Sequence, residues 1–352
     1  MDTLTQIVLG ATVGHVVAGR KLGAKAALYG AIGGLLPDLD VMLSSSEPLG
    51  EWKYHRGATH SIWFGPVVGT ALGWIGWKLA RWRRPDTPGA GDDALKYWIG
   101  MWVLAIFTHP LLDTFTVYGT QLLAPFTRER FALSGVPIID PVYTIILLIG
   151  LIVVSRVGSR TRKAMMASAV ALALSTSYLF VGLAQNGRAE KLAIASLASQ
   201  GMKPEKLRVY TTMFTIWQRR LVATFDDKYL VGFVSTFNPQ AIHWHAIKRN
   251  ANATTLAEAA LSTPDGEAYR KFAAGPIYAS VEEKEGAPLL RIYDMRYGFP
   301  GPSITGIWGA QWKVKQGKTV DPVSAFRSRP KVSWNDVVQL LRASFGLSNT
   351  LF

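Results

Sequence analysis

The sequence predicts a multi-span α-helical membrane domain followed by a smaller soluble α+β domain with an antiparallel sheet. Three observations support this. Charged residues make up 18% of the 352 residues, against about 25% in an ordinary soluble domain. Long charge-free runs are confined to the first half: residues 1–184 hold 16 Lys+Arg and 11 Asp+Glu, and residues 185–352 hold 22 and 13. The second half alternates apolar and polar residues between turn signals. The expected division is a helical transmembrane domain at 1–184 and a soluble α+β domain at 185–352, with the boundary near Gln185-Asn186-Gly187-Arg188.

In the first half, runs at 4–19, 26–37, 61–77, 97–112, 141–155 and 164–184 are lipid-compatible. Only the last reaches the roughly 20 residues that a straight span requires. The others also read as buried helices of a large soluble core; their number and close spacing weigh against that. Basic residues in short loops set orientation. Arg20, Lys21 and Lys25, then Lys78, Arg81, Arg83 and Arg84, then Arg156, Arg160, Arg162 and Lys163 fall on one side. The other side has only Lys53, Arg56, Arg128 and Arg130. The first set is expected in the cytoplasm, which places Asp38, the 55–60 segment, Asp113 and the soluble domain outside.

In the second half, 188–200 reads as a helix. Residues 209–237 read as a hairpin around Asp226-Asp227, and 254–260 and 265–273 as helices. Strands are expected at 277–283, 289–297 and 308–315, and a last helix at 333–345.

Composition excludes several function classes. There is no Cys, hence no disulfide scaffold, iron–sulfur cluster, thiolate zinc site or cysteine nucleophile. No GxSxG, P-loop, GxGxxG or HExxH occurs. The net charge of +14 suits anionic lipid headgroups. No nucleic-acid module accompanies it, so no nucleic-acid partner is expected.

The chemistry signal is polar groups where they are costly. Four of the six His (His15, His55, His60 and His109) lie in the first half, and Asp38, Asp40 and Asp113 sit at the ends of apolar runs. Ionisable residues in membrane segments are functional candidates. His109 and Asp113 are spaced i, i+4 and share a helix face, which serves a ligand or a plain core hydrogen bond. His55 and His60 flank Gly57, where the chain can turn sharply; a solvated polar loop is the alternative. Asp38 and Asp40 follow Pro37, as carboxylates converging in a turn or as an ordinary helix cap. Together they suit Zn²⁺, Mn²⁺ or Fe²⁺ rather than Ca²⁺ or Cu⁺, in number enough for one or two ions. Arg56 suits a phosphate oxygen. His243 and His245 form an i, i+2 pair with no third ligand near in sequence.

Met1-Asp2-Thr3-Leu4-Thr5-Gln6, the Gly-rich hairpin through 19–23, Pro37-Asp38-Leu39-Asp40, His55-Arg56-Gly57-Ala58-Thr59-His60-Ser61 and His109-Pro110-Leu111-Leu112-Asp113 occur in this order. Over roughly residues 1–155 the set resembles the membrane-bound metal-dependent hydrolases, also described as LexA-binding, inner-membrane-associated hydrolases. The resemblance implies a bacterial or archaeal multi-pass inner-membrane protein with a divalent-metal site. It transfers a metal role to Asp38, Asp40, His55, His60, His109 and Asp113, with His15 as an additional candidate ligand. A LexA-type partner follows from the family label alone, and the expected orientation would keep a cytoplasmic repressor from the site.

The expected function is thus an integral membrane metal-dependent hydrolase. A metal-activated water would attack an ester or phosphoester of a membrane lipid or lipid-linked substrate, with Arg56 and Thr59 steadying developing charge. One or two divalent ions, Zn²⁺ or Mn²⁺ first, would serve as cofactor. The alternative is a non-enzymatic divalent-metal transporter or a metal-stabilised membrane scaffold.

Overall fold

The computed structural model describes residues 1–43, 47–284, 287–299, 303–315, 318–327 and 333–347. The chain divides into two compact units: Met1–Leu43 with Tyr54–Val181, and Ser44–Lys53 with Gly182–Phe352. The first is helical; the second contains antiparallel sheets.

Asp2 caps α1 (Thr3–Leu22) by accepting from the Thr5 backbone N–H. Gly23, at φ 66°, turns the chain directly into α2 (Ala24–Leu35), a conformation that suits glycine. The two helices then pack backbone to backbone. A Cβ on Gly10 would lie 2.3 Å from the Gly30 carbonyl oxygen, and one on Gly34 would lie 2.3 Å from that of Gln6. A 3-10 turn, Leu36–Leu43, follows α2 and carries Asp38 and Asp40. After the short α3 (Gly50–Tyr54) come α4 (Phe64–Arg83) and α5 (Leu95–Thr114). These two form a second seam, in which a Cβ on Gly69 or Gly73 would stand 2.6 Å from the Cα of Val103 or Ile99. Such small-residue seams let helices approach closely where burial in lipid provides no hydrophobic drive. Asp140 caps α6 (Pro141–Val157) and accepts a hydrogen bond from Tyr178 of α7 (Arg162–Ala198).

By length and composition, two helical segments among the described residues are able to cross a membrane. They are Asp92–Thr114, which contains α5, and α7, of 23 and 37 residues with mean hydropathy 1.2 and 1.7. The apolar α6 is shorter. α1 and α4 have the length, 20 residues each, but Gly, Thr and terminal basic residues dilute their hydropathy. The six expected runs thus yield fewer clear spans than six.

α7 runs unbroken through Gln185-Asn186-Gly187-Arg188, so the separate helix expected at 188–200 is the last part of a longer one, and the two units divide within it, between Val181 and Gly182. A fully buried arginine holds this stretch helical: Arg219 donates to the Gly182 carbonyl and to Asn186 Oδ1. β1 (Lys206–Thr211), β2 (Gln218–Thr224), β3 (Lys228–Ser235) and β4 (His245–Lys248) form one antiparallel meander. Its central hairpin closes at Asp226-Asp227, where Phe225 N–H donates to Lys228. After α8 (Ala251–Leu261) and α9 (Pro264–Ala273), a second meander comprises β5 (Ile277–Lys284), β6 (Ala287–Asp294), β7 (Trp308–Lys315) and β8 (Lys318–Arg327). The single expected sheet is therefore two, followed by α10 (Trp334–Ser344).

Candidate metal centre

Four side chains converge at one end of the helical unit. Asp38 comes from the turn after α2, His60 from a short 3-10 turn (Ala58–His60) before α4, and His109 and Asp113 from successive turns of α5. The expected i, i+4 face exists, and both of its members are buried, at 1% and 0% exposure. The turn before His60 depends on special backbone: Arg56 sits at φ 58°, and a Cβ on Gly57 would lie 2.7 Å from the Tyr54 carbonyl oxygen.

The two Nε2 atoms of His60 and His109 are 3.1 Å apart. Asp38 Oδ1 lies 3.4 Å from His60 Nε2 and 3.3 Å from His109 Nε2. Asp113 Oδ2 lies 3.4 and 3.5 Å from the same two nitrogens. One ligand atom from each of the four residues falls within 4.8 Å of all the others.

The partners behind the rings set the tautomers. His109 Nδ1 is 2.6 Å from the Gly34 carbonyl oxygen, which can only accept, so Nδ1 carries a proton. His60 Nδ1 is 3.3 Å from Asp40 Oδ2, also an acceptor. A ring that is neutral then turns its Nε2 lone pair toward the other. Asp113 Oδ2 is buried without a hydrogen-bond partner. Two lone pairs and two carboxylate oxygens around one point repel unless a cation stands between them. The residues present thus fit a divalent ion, and the set could hold one.

Burial works to raise the Asp38 carboxyl, but the His109 and His60 rings beside it hold it well below the usual carboxylate range. Asp40 is likewise pushed up by burial and brought far down by His55 and His60. Burial lowers His60 and so favours the neutral ring that ligation needs.

Other expected ligands take different places. Asp40 stands behind His60 rather than beside the centre: it pairs with His55 Nδ1 at 2.7 Å and accepts from Arg56 N–H and Thr59 Oγ1. His55 therefore faces Asp40, its ring 5.8 Å from that of His60. Thr59 donates to Asp40, so its hydroxyl orients this network and is not free to meet developing charge. Arg56 is 4% exposed, with Nε 3.3 Å from Asp113 Oδ2, Nη1 bonded to Thr116 and its guanidinium 4.6 Å above Tyr118. His15 belongs to neither group. It lies toward the other end of α1, with Nδ1 2.8 Å from Ser168 Oγ and Nε2 2.9 Å from the Ser159 carbonyl oxygen. With both nitrogens occupied, it ties α1 to α7. His15→Ala is expected to leave metal content unchanged while costing about 1–3 kcal/mol of stability, read by metal analysis and thermal unfolding on one preparation.

Gln6 is a neighbour that sequence reasoning left without a role. Fully buried, it donates to Asp113 Oδ1 and the His109 carbonyl, and its Oε1 has no hydrogen-bond partner. The signal was present: an amide at the start of a long charge-free run. The Met1 amino group also donates to Asp113.

The helical unit is thus that of a protein with a buried His/Asp cluster able to hold a metal ion at its helix ends. The chain belongs to the YdjM inner membrane protein family, whose model matches residues 1–189. It is also similar to the uncharacterized protein YfhP of Bacillus subtilis (strain 168), at 30% identity over 151 residues. That match covers 40% of this chain and 42% of the relative. No solved structure matches the chain.

Proposed function

We propose that the chain is a multi-pass inner-membrane hydrolase. Asp38, His60, His109 and Asp113 hold one divalent ion, Zn²⁺ first, and the substrate is an ester or phosphoester with an apolar part. The observation that carries the metal is the pair of facing Nε2 lone pairs, 3.1 Å apart between two carboxylates. The four nitrogen–oxygen separations of 3.3 to 3.5 Å bring all four groups within reach of one ion. A divalent ion there would acidify water and polarise the scissile group.

The chain's own residues supply the rest. Asp38 is the ligand reached by solvent, with 14% side-chain exposure, and marks the entry side. Its neighbours Leu39, Val41 and Met42 on the same turn are exposed apolar groups that suit an acyl or prenyl chain. Arg56 keeps a positive charge beside Asp113 and favours an anionic ester. His55, oriented by Asp40 through Nδ1, keeps Nε2 for relaying protons between the site and solvent.

Multi-pass insertion is supported by the outward faces. Trp74, Ile75 and Leu79 on α4, Ile145, Ile149 and Ile152 on α6, and Met166, Val170 and Leu174 on α7 are all exposed, as lipid contact requires. The ligands lie at the ends of α2 and α5 and the start of α4. Arg20, Lys25, Arg83 and Arg156 lie at the opposite ends of α1, α2, α4 and α6. By the positive-inside rule the centre then faces outward. Alkaline phosphatase fused after residue 347 is expected to be active and a GFP fusion dark; the reverse pattern rejects the orientation. A centre at one end, with one ligand open, favours hydrolysis over transport, which places its acids near mid-membrane. Metal analysis of detergent-purified protein, followed by a screen of lipid esters and phosphoesters with and without chelator, tests the activity. No chelator-sensitive turnover with metal bound would leave the scaffold reading.

A further inference from the structure

We infer that residues 120–133 form a lipid-docking loop beside the metal centre, in which Phe126 and Trp63 enter the acyl region and Arg128 meets an anionic headgroup. The inference rests on the multi-pass reading above. It deepens that reading by naming the surface on which an amphiphilic substrate arrives and the charge that substrate carries. Every residue it uses belongs to the helical unit.

The loop is closed at its base, where Thr120 and Phe131 exchange both backbone hydrogen bonds, at 3.1 and 2.9 Å. At its far end the Phe126 and Thr127 N–H groups both donate to the Leu123 carbonyl, which makes a turn. Turn tips in water are ordinarily polar. Here Phe126 is 82% exposed, and Leu123 and Phe131 are exposed as well. Large apolar groups gathered at a surface mark a contact with something apolar.

Trp63 shows what that contact is. Its backbone is already helical, one residue ahead of α4, and its ring meets that of Phe126 edge-on at 6.3 Å. Trp63, Val67 and Trp74 are all exposed. They stand four and seven residues apart, which is one face of a helix. The Trp63–Phe126 pair therefore ends the stripe of α4 that the multi-pass reading turns toward lipid, where Trp is enriched in membrane proteins. Arg128 follows two residues after Phe126. It is exposed, with its guanidinium 5.9 Å from the ring of Tyr54, itself exposed. An apolar tip followed at once by a guanidinium matches an acyl chain and the phosphate above it.

The loop is also fastened to the segment that carries His60. Gln121 N–H donates to the Arg56 carbonyl and Ile62 N–H to the Leu122 carbonyl, each at 2.9 Å. Arg130 Nη2 donates to the His55 carbonyl at 2.8 Å. A lipid seated on the loop thus stands beside the centre.

The chain has no cysteine, so one introduced thiol gives a unique label. The full chain carrying Phe126→Cys, labelled with bimane, is placed in nanodiscs of equal parts phosphatidylglycerol and phosphatidylcholine. Bromine is carried on the acyl chains of one lipid or of the other. Val67→Cys, labelled in the same way, is the reference for the lipid-facing stripe. The label at 126 is expected to be quenched by brominated lipid and shielded from aqueous iodide, with stronger quenching when phosphatidylglycerol carries the bromine. Adding Arg128→Glu is expected to abolish that preference and to leave the label at 67 unchanged. A label at 126 quenched by iodide instead is solvated, and one quenched by neither agent is covered by protein. Either result, with the label at 67 quenched by lipid, overturns the docking loop and leaves the multi-pass reading standing. Equal quenching by the two lipids with Arg128 present overturns the anionic headgroup. A label at 67 that brominated lipid does not quench removes the multi-pass reading, and the loop with it.

Discussion

His60→Ala is expected to empty the metal centre while the protein still inserts and folds. Of the four ligands, His60 is the one on a short turn, with its ring 0% exposed and Nε2 between Asp38, Asp113 and His109. Removing it leaves three ligands, and the Asp40 and Thr59 hydroxyl network loses the ring it orients. Affinity should fall by more than about 100-fold, the upper range for loss of an outer partner of a ligand. Asp40→Ala gives the graded comparison. It keeps all four ligand atoms but releases His60 Nδ1, and should cost about 10–100-fold. Metal content after dialysis against a weak chelator reads both. Equal metal in wild type and His60→Ala would remove the shared centre, and with it the hydrolase proposal. Equal loss in both variants would make Asp40 a ligand.

The second large effect is expected in the α1–α2 hairpin. Gly10→Val places three carbons where one Cβ would already stand 2.3 Å from the Gly30 carbonyl oxygen and 2.8 Å from Gly34 Cα. Both neighbours are backbone, so no rotamer relieves the clash. The helices must separate, at an overpacking cost of about 1–3 kcal/mol or more. The damage should reach the centre, because His109 Nδ1 donates to the carbonyl of Gly34. When α2 moves away, that ring loses its orientation and Asp38 moves with the helix end. Gly10→Val is therefore expected to lower the unfolding temperature in detergent and to weaken metal binding together. Gly187→Val is the control: at that position nothing lies within 4 Å. A Gly10→Val protein with wild-type melting and metal content would show that the seam is not under pressure.

Much of the centre was legible as residue type. His60, His109, Asp38 and Asp113 stood out because an imidazole or carboxylate at the end of an apolar run must be paired or bound. The i, i+4 spacing of His109 and Asp113 fixes their shared face wherever that stretch is helical. What spacing cannot tell is which of two neighbouring polar residues points inward. Asp38 and Asp40 are two apart, and His55 and His60 five apart, and in each pair one faces the centre while the other supports it. Backbone decided both cases: the 3-10 turn after Leu35 and the positive φ of Arg56. His15 misled for the same reason, since its partners Ser159 and Ser168 lie far along the chain. The joined helix at 162–198 was hidden because the Gly-bearing stretch looked like a break, and its support, Arg219, comes from a strand 33 residues past Asn186.

By itself the sequence determined that this protein has a helical, membrane-compatible first part and a strand-rich second part. It also singled out His and Asp as the polar groups of the first part that are costly to bury. Composition, period and local spacing are properties of neighbouring residues, and they survive without a fold. Only the tertiary structure decided that four of these groups face one another, that Asp40 and His55 stand behind them, and that α3 packs with the far end of the chain. Those facts are distances between residues up to 276 positions apart, and such distances exist only once helix seams and sheets have closed the chain upon itself.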